Sequence, residues 1–244
     1  DVLNCIDITG TTVRNMTIQG TGAGTGSGIV YDSSVDTPAD NVFENLLVTT
    51  NGRDGMRLGG TFRTIINHVQ ASGNGRDGFR FARSVGSSAV NASMHGYNLT
   101  TNSNTGVGFN LGEASGAVGL RNADFYALVG DTTTAGGVAV YGSNIRIFGA
   151  HIEAAATIAF LYDSISNNAC YDCHAEGPTV TGFDIDAQTT LLVGSSTNGV
   201  TGDAINVCAS CSEVTIIGHT GGTITDANGG ATVFGSSVAT GTTK

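Results

Sequence analysis

The sequence predicts an all-β chain built as a single-stranded parallel β-helix, a solenoid, on three observations. An apolar residue, two variable ones, a second apolar, one variable and a third apolar recur about every 23 to 30 residues. A glycine-led run of alternating apolar and polar residues follows most of these triplets. The corners between them are rich in Gly, Asn, Ser and Thr, with only 2 prolines in 244 residues. Self-similarity at such a period means that each unit buries its apolar side against its neighbours. Stacking then brings equivalent residues of successive units about 4.8 Å apart.

In chain order the triplets are Val13/Met16/Ile18, Phe43/Leu46/Val48, Ile66/Val69/Ala71, Leu120/Ala123/Phe125, Ile147/Ala150/Ile152 and Cys170/Cys173/Ala175. Ala92/His95/Tyr97 is an irregular member, and Val193/Ser196/Asn198 and Ile216/His219 continue the series. Between the first and second inward residues stands Asn15, Asn45, Asn122 or Asp172, replaced elsewhere by Gly149 and Gly218. These residue types tolerate a left-handed backbone, so a bend is expected there, and stacked asparagines can form a hydrogen-bonded ladder. The second half of each unit alternates strictly, as in Met56-Arg57-Leu58, Phe79-Arg80-Phe81, Phe109-Asn110-Leu111, Phe183-Asp184-Ile185 and Ile205-Asn206-Val207. That is the pattern of a half-buried strand. Ala154 to Tyr162 comes nearest to a helical period and equally fits a tight corner followed by a strand. Thr21 to Gly26, Val35 to Asp40, Thr101 to Thr105 and Asp131 to Ala135 read as insertions that leave the coil at a corner, where a solenoid usually carries function.

Only 12% of residues are charged, which without a pattern would suggest disorder. Yet 40% are apolar and regularly placed, giving a long, thin core. The net charge is −10, and Lys244 is the one lysine. Nucleic acid is therefore not an expected partner, because phosphates require a basic surface. No apolar run reaches the roughly 18 residues of a membrane span, so no membrane insertion is expected. Nothing in composition divides the chain, and residues 1–244 read as one domain. Without an initiator Met, and with core-like sequence from Asp1, it reads as a fragment or processed part of a longer chain. Asp1 to Thr9 looks like a partial coil, and Gly229 to Lys244 trails off in Gly, Ser and Thr.

The cysteines are Cys5, Cys170, Cys173, Cys208 and Cys211. Two CxxC pairs raise zinc as a reading. Cys170 and Cys173, however, take the inward positions of Ile147 and Ala150 one unit earlier, and read as small buried core residues. Cys208 and Cys211 fall at a corner and read as a local disulfide or a metal pair. No metal site is assigned. Sequons at Asn15, Asn91 and Asn98 carry little weight, since Asn-rich corners produce them by chance.

The units resemble those of the right-handed, pectate-lyase-like β-helix superfamily that includes pectate lyases, polygalacturonases and phage tailspikes. The run from Asn41 to Phe81, with Asn-Gly-Arg-Asp-Gly twice, is most similar to tailspike-type sequences. The resemblance implies an extracellular or virion-borne protein that recognises bacterial surface polysaccharide, and, since tailspikes are typically homotrimers, a homotrimer. The superfamily's chemistry is poorly matched. Gly202-Asp203-Ala204 and Gly218-His219-Thr220 break the polygalacturonase-like Gly-Asp-Asp and Gly-His-Gly motifs. His219 also falls on an inward position. Pectate lyases use a Ca²⁺ cluster of acidic residues with a nearby Arg or Lys, and nothing basic lies between Arg146 and Lys244. No cofactor is called for. Ca²⁺ enters only through the resemblance and has no support in these residues.

Aligning the triplets places Asp124, His151 and His174 in one outward row, with Tyr126, Glu153 and Glu176 beside it. Two carboxylates about 5 Å apart repel and raise one pKa, which is how a general acid is made, and the spacing suits a retaining glycosidase pair. Glu153 and Glu176 are thus the catalytic candidates, with His151 and His174 beside them able to serve as acid, base or metal ligand. A solvated row in which His and Glu neutralise each other is the alternative. The duplicated motif stacks Arg53 on Arg76, Asp54 on Asp77 and Arg57 on Arg80. Arg57 and Arg80 face outward and could hold substrate carboxylates, with Asp124 and Tyr126 as further substrate contacts. Alternatively, Arg and Asp rows stabilise the stack by diagonal ion pairs. The outward positions Thr49, Ser72, Asn98, Tyr126, Glu153 and Glu176 form no threonine array, which excludes an ice-binding face.

The sequence therefore reads as a right-handed parallel β-helix of about nine coils that recognises a polysaccharide. A secreted polysaccharide lyase or glycoside hydrolase acting as a monomer, and a structural solenoid segment of a fibre, adhesin or surface layer, are the two other readings.

Overall fold

The computed structural model describes residues 1–8, 10–33, 40–83, 89–113, 119–163, 167–177, 180–227 and 229–235, and the backbone of 237–241. The Val35 to Asp40 insertion, Asp40 excepted, and Lys244 lie outside the described residues. Among the described residues every element is a β-strand and every strand pairing is parallel, within a single sheet. Each strand bonds to its equivalents one coil before and one coil after, as Phe160 pairs with Val138 and with Phe183. The fold is an all-β parallel solenoid.

Each coil has three strand-forming limbs. In Asn41–Thr49 and Leu120–Asp131 the first two limbs are one strand bent at Asn45 (φ 53°) and Ala127 (φ 55°). Later coils split there: Ser143–Phe148 and His151–Glu153 flank Gly149 (φ 65°), and Asn168–Tyr171 and His174–Glu176 flank Asp172 (φ 52°). The expected bend is thus present, with one correction. Asn122 (φ 51°) bends at the start of the first limb, where Asn144 (φ 60°) follows it, and the equivalent of Asn45 in that coil is Ala127. The third limb holds the alternating strands, including Met56–Gly59, Phe79–Ala82, Val107–Leu111, Ile158–Tyr162 and Thr181–Ile185. Ala154 to Tyr162 is a corner followed by a strand. The Gly/Ser/Thr-rich tail adds Ala231–Phe234 and Ser237–Gly241 to the stack instead of trailing off.

The core consists of columns. Ile29, Met56, Phe79, Phe109, Val138, Phe160, Phe183 and Ile205 follow one another up the third limb, all at most 1% exposed. Flat stacking recurs within this column, with ring centroids 5.4 Å apart for Phe79/Phe109 and 4.7 Å for Phe160/Phe183.

The buried asparagine ladder lies not at the bend but at the corner before the third limb. Asn51 Nδ2 donates to Asn74 Oδ1 (2.9 Å), and Asn74 Nδ2 donates to Asn104 Oδ1 (2.9 Å). Those oxygens also accept the backbone N–H groups of Asn51 and Asn74. Among the described residues the bend asparagines make exposed pairs, Asn45 donating to Asn15 (3.0 Å) and Asn144 to Asn122 (2.7 Å). At the same corner Gly52 is required by close approach, because a Cβ there would lie 1.9 Å from the carbonyl oxygen of Gly24.

Cys170 and Cys173 point inward as expected, but they are joined by a disulfide, as are Cys208 and Cys211. Neither pair offers free thiolates to zinc.

His219 is fully buried on its inward position. Nε2–H donates to Gly221 O (3.0 Å), and Nδ1 lies 2.8 Å from Ser195 Oγ. Burial pushes the ring's pKa below the usual 6.5, outweighing the hydrogen bonds to the Gly221 and Ser195 backbone that raise it. Below pH 6.5 the unfolded chain takes up a proton at this position that the folded chain refuses, so stability falls as pH drops through that window. A denaturation midpoint that declines from pH 7 toward pH 5 is expected, and His219→Asn should flatten part of that slope.

Candidate functional site

Pairing in the structure corrects the outward rows. Asp124 lies opposite His95 on one side and Arg146 on the other, not opposite His151. Tyr126 lies between Tyr97 and Phe148, not beside Glu153. The alignment slips because the inward triplet of this coil is Phe125/Leu128/Gly130, not Leu120/Ala123/Phe125: Phe125 pairs with Ile147, and Gly130 with Ile152. The irregular Ala92/His95/Tyr97 is likewise replaced by Gly96/Leu99/Thr101, and Val193/Ser196/Asn198 moves back one residue to Leu192/Ser195/Thr197.

The first limb therefore carries its own outward row. Asp124 is held by the Arg146 guanidinium through Nε (2.6 Å) and a terminal nitrogen (2.7 Å), with His95 Nδ1 at 3.8 Å. Tyr97, Tyr126, Phe148 and Tyr171 form a ladder of parallel rings with centroids 5.2, 4.7 and 4.9 Å apart. Both faces of Tyr126 are covered by neighbouring rings, leaving its edge and hydroxyl to contact a ligand.

On the second limb Asp131, Glu153, Glu176 and Asn198 succeed one another, and Val129, His151, His174 and Ser196 form the row beside them. The four catalytic candidates are thus neighbours, two by two. Glu176 is the hub. Its Oε2 lies 3.2 Å from His151 Nε2 and 3.5 Å from His174 Nε2, and its Oε1 accepts from Asn198 Nδ2 (3.3 Å). His174 Nδ1 lies 2.6 Å from Ser196 Oγ, and the two imidazoles meet edge to face at 4.9 Å.

Arg57 and Arg80 stack as expected, on the third limb. With Arg53 and Arg76 they line an open cleft of about 230 Å³, to which Asp1, Ser27, Val30, Ala82 and Glu113 also contribute. Four of the nine arginines of an acidic chain gather here. Arg57 pairs with Asp32 (3.1 Å), Arg80 with Asp77 (3.2 Å), and Arg76 grips the fully buried Asp54 with two nitrogens. The pairing with Asp54 raises the pKa of Arg76 further. These aspartates fix the guanidinium planes, and a terminal nitrogen of Arg57 also donates to the Arg83 carbonyl oxygen (3.2 Å). Arg53 makes no ion pair among the described residues.

A fourth group was not read from the sequence. Asp184 faces outward on the third limb, and its carboxyl is pushed above the usual range by burial and then by the charges of Asp186, Asp163 and Asp203. Asp163 is raised by burial and by Asp186. Asn206 donates to Asp184 (2.8 Å) and Thr225 to Asp203 (2.7 Å). The signal was available in the alternation, which marks Asp184 and Asn206 as successive outward positions.

No family model, no curated protein and no solved structure matches the chain.

Proposed function

We propose that the solenoid recognises an acidic polysaccharide laid along its outer surface. Its closest functional type is then the right-handed, tailspike-like β-helix that reads bacterial surface glycan outside the cell or on a virion. The observation that supports this most strongly is the arginine-lined cleft. A chain of net charge −10 concentrates four arginines at one concavity. Buried carboxylates pre-orient three of them, so planar donors are presented without further ordering. A uronate or other carboxylated sugar fits that chemistry. Repetition along the axis suits a repeating polymer.

Glycan-array binding with product analysis tests this reading. Retention of carboxylated bacterial polysaccharides, and a drop of at least about tenfold in Arg80→Gln for one lost charged contact, are the expected results. Binding to no glycan, or binding indifferent to Arg57 and Arg80, would overturn it. The same assay reads cleavage. Glu153 and Glu176 are the carboxylates that a lyase or hydrolase step would employ, and unchanged product release in Glu153→Gln and Glu176→Gln removes both from such a step.

A further inference from the structure

We infer that His151, His174 and Glu176 form a binding site for a divalent transition metal ion, Zn²⁺ foremost. The three ligand atoms lie within 4.8 Å of one another. Zinc bound by imidazole nitrogen and carboxylate oxygen at about 2.0–2.1 Å in a tetrahedron has ligand–ligand edges of roughly 3.3–3.4 Å. The edges from Glu176 Oε2 to His151 Nε2 and His174 Nε2 are 3.2 and 3.5 Å. The site therefore needs almost no rearrangement along two of its three edges.

The surroundings fit a ligand set as well. His174 contacts Ser196 Oγ through Nδ1 at 2.6 Å. A proton on that nitrogen, donated to the serine, leaves the Nε2 lone pair aimed at Glu176. This is how an outer group fixes the tautomer and direction of a ligating histidine. Asn198 does the same for the carboxylate, donating to Oε1 and leaving Oε2 for the ion. Two of the ligands are therefore held by the coil that follows them, at equivalent register positions. The backbone supplies the rest: His151 and His174 are direct register partners, and Glu176 lies two residues from His174 on the same side of its strand.

The side chains are 46%, 30% and 38% exposed, so the fourth coordination position opens to solvent. An ion there would hold a water or an oxygen of an incoming ligand, the arrangement of an accessible site and not a closed structural one. The second cluster of potential ligands, Asp186, Cys208 and Cys211, lacks free thiols because its cysteines are disulfide-bonded. Soft-ligand competition from that corner is absent under oxidising conditions.

The inference stands apart from glycan recognition, since the ion alone is the probe. Zn²⁺ titration of the purified, oxidised chain against a chromophoric chelator is expected to show one equivalent bound. Glu176→Gln, His151→Ala and His174→Ala should each weaken binding by about 100-fold, and Ser196→Ala by about tenfold, in the range found when outer-shell partners are lost. His68→Asn, at an exposed bend distant in register, should bind as the unsubstituted chain does. Co²⁺ in place of Zn²⁺ should give the visible absorption of a four- or five-coordinate ion, lost in His174→Ala. All three ligand positions are on the surface, and an unchanged circular dichroism spectrum verifies that each variant folds. Failure of the unsubstituted chain to retain zinc, or equal retention by the three ligand variants, overturns the assignment.

Discussion

Phe183→Ala is expected to lower the unfolding free energy by about 4 kcal/mol, the largest effect of any single truncation proposed here. Phe183 is fully buried in the third-limb column, between Phe160 and Ile205. Its ring lies flat on Phe160 at 4.7 Å and meets the His219 ring edge-on at 6.1 Å. Truncation removes the transfer energy of the ring and leaves a void. The coils above and below cannot collapse into it, because their spacing is set by backbone hydrogen bonds. Denaturant midpoints read the change. A loss below about 1 kcal/mol would mean that the column is loosely packed, contrary to the stacking geometry.

Asn74→Ala should cost about 3 kcal/mol by a different route. Asn74 is the middle rung of the buried ladder: its Oδ1 takes two donors from Asn51 and its Nδ2 serves Asn104. Removing it orphans the backbone N–H of Asn51, which is 2% exposed, and leaves a gap that water reaches only by opening the corner. Asn45→Gly supplies the contrast. It deletes an exposed hydrogen bond at a left-handed residue that glycine adopts freely, so a change within about 0.5 kcal/mol is expected. Thermal or chemical unfolding of the two variants side by side separates a buried ladder from a surface one.

The fold was legible because its signal is local. Alternation in Met56-Arg57-Leu58 or Phe183-Asp184-Ile185 needs no knowledge of neighbours, and the early triplets through Ile66/Val69/Ala71 pair as read. The reading slipped where apolarity and burial part company. Gly96 and Gly130 are inward, with their missing side-chain volume filled from the next coil. A Cβ on Gly96 would meet Phe125 Cδ1 at 2.5 Å, and one on Gly130 would meet Ile152 Cδ1 at 2.8 Å. At the same time Tyr97, Tyr126 and Phe148 are aromatic and face outward, stabilised by one another instead of by the core. Small residues inside and large rings outside invert the hydrophobic pattern for two coils, and register errors of that kind move every side chain of the row.

The sites divide on the same principle. Arg57 over Arg80, and Glu153 over Glu176, came from adjacent, well-behaved coils and stand where they were placed. Asp124 and Tyr126 belonged to the inverted stretch and were assigned to the wrong row. The Asp163/Asp184/Asp186/Asp203 group follows from the same one-coil register, in which Leu161 and Tyr162 pair with Asp184 and Ile185, and the alternation marked its strand member Asp184 as outward.

Because every coil is bonded only to the coils before and after it, tension along the chain falls on one ladder of hydrogen bonds at a time. Pulled lengthwise, the molecule would pay out rather than snap. Each release frees one winding, such as the 22 residues that separate Glu176 from Asn198, or about 75 Å at roughly 3.4 Å per residue. The cross-coil clasps that resist this are unevenly spread: arginine to aspartate toward one end, stacked rings and neighbouring histidines farther along. The tether would therefore yield in a graded series of steps, with its strongest windings setting how far it stretches.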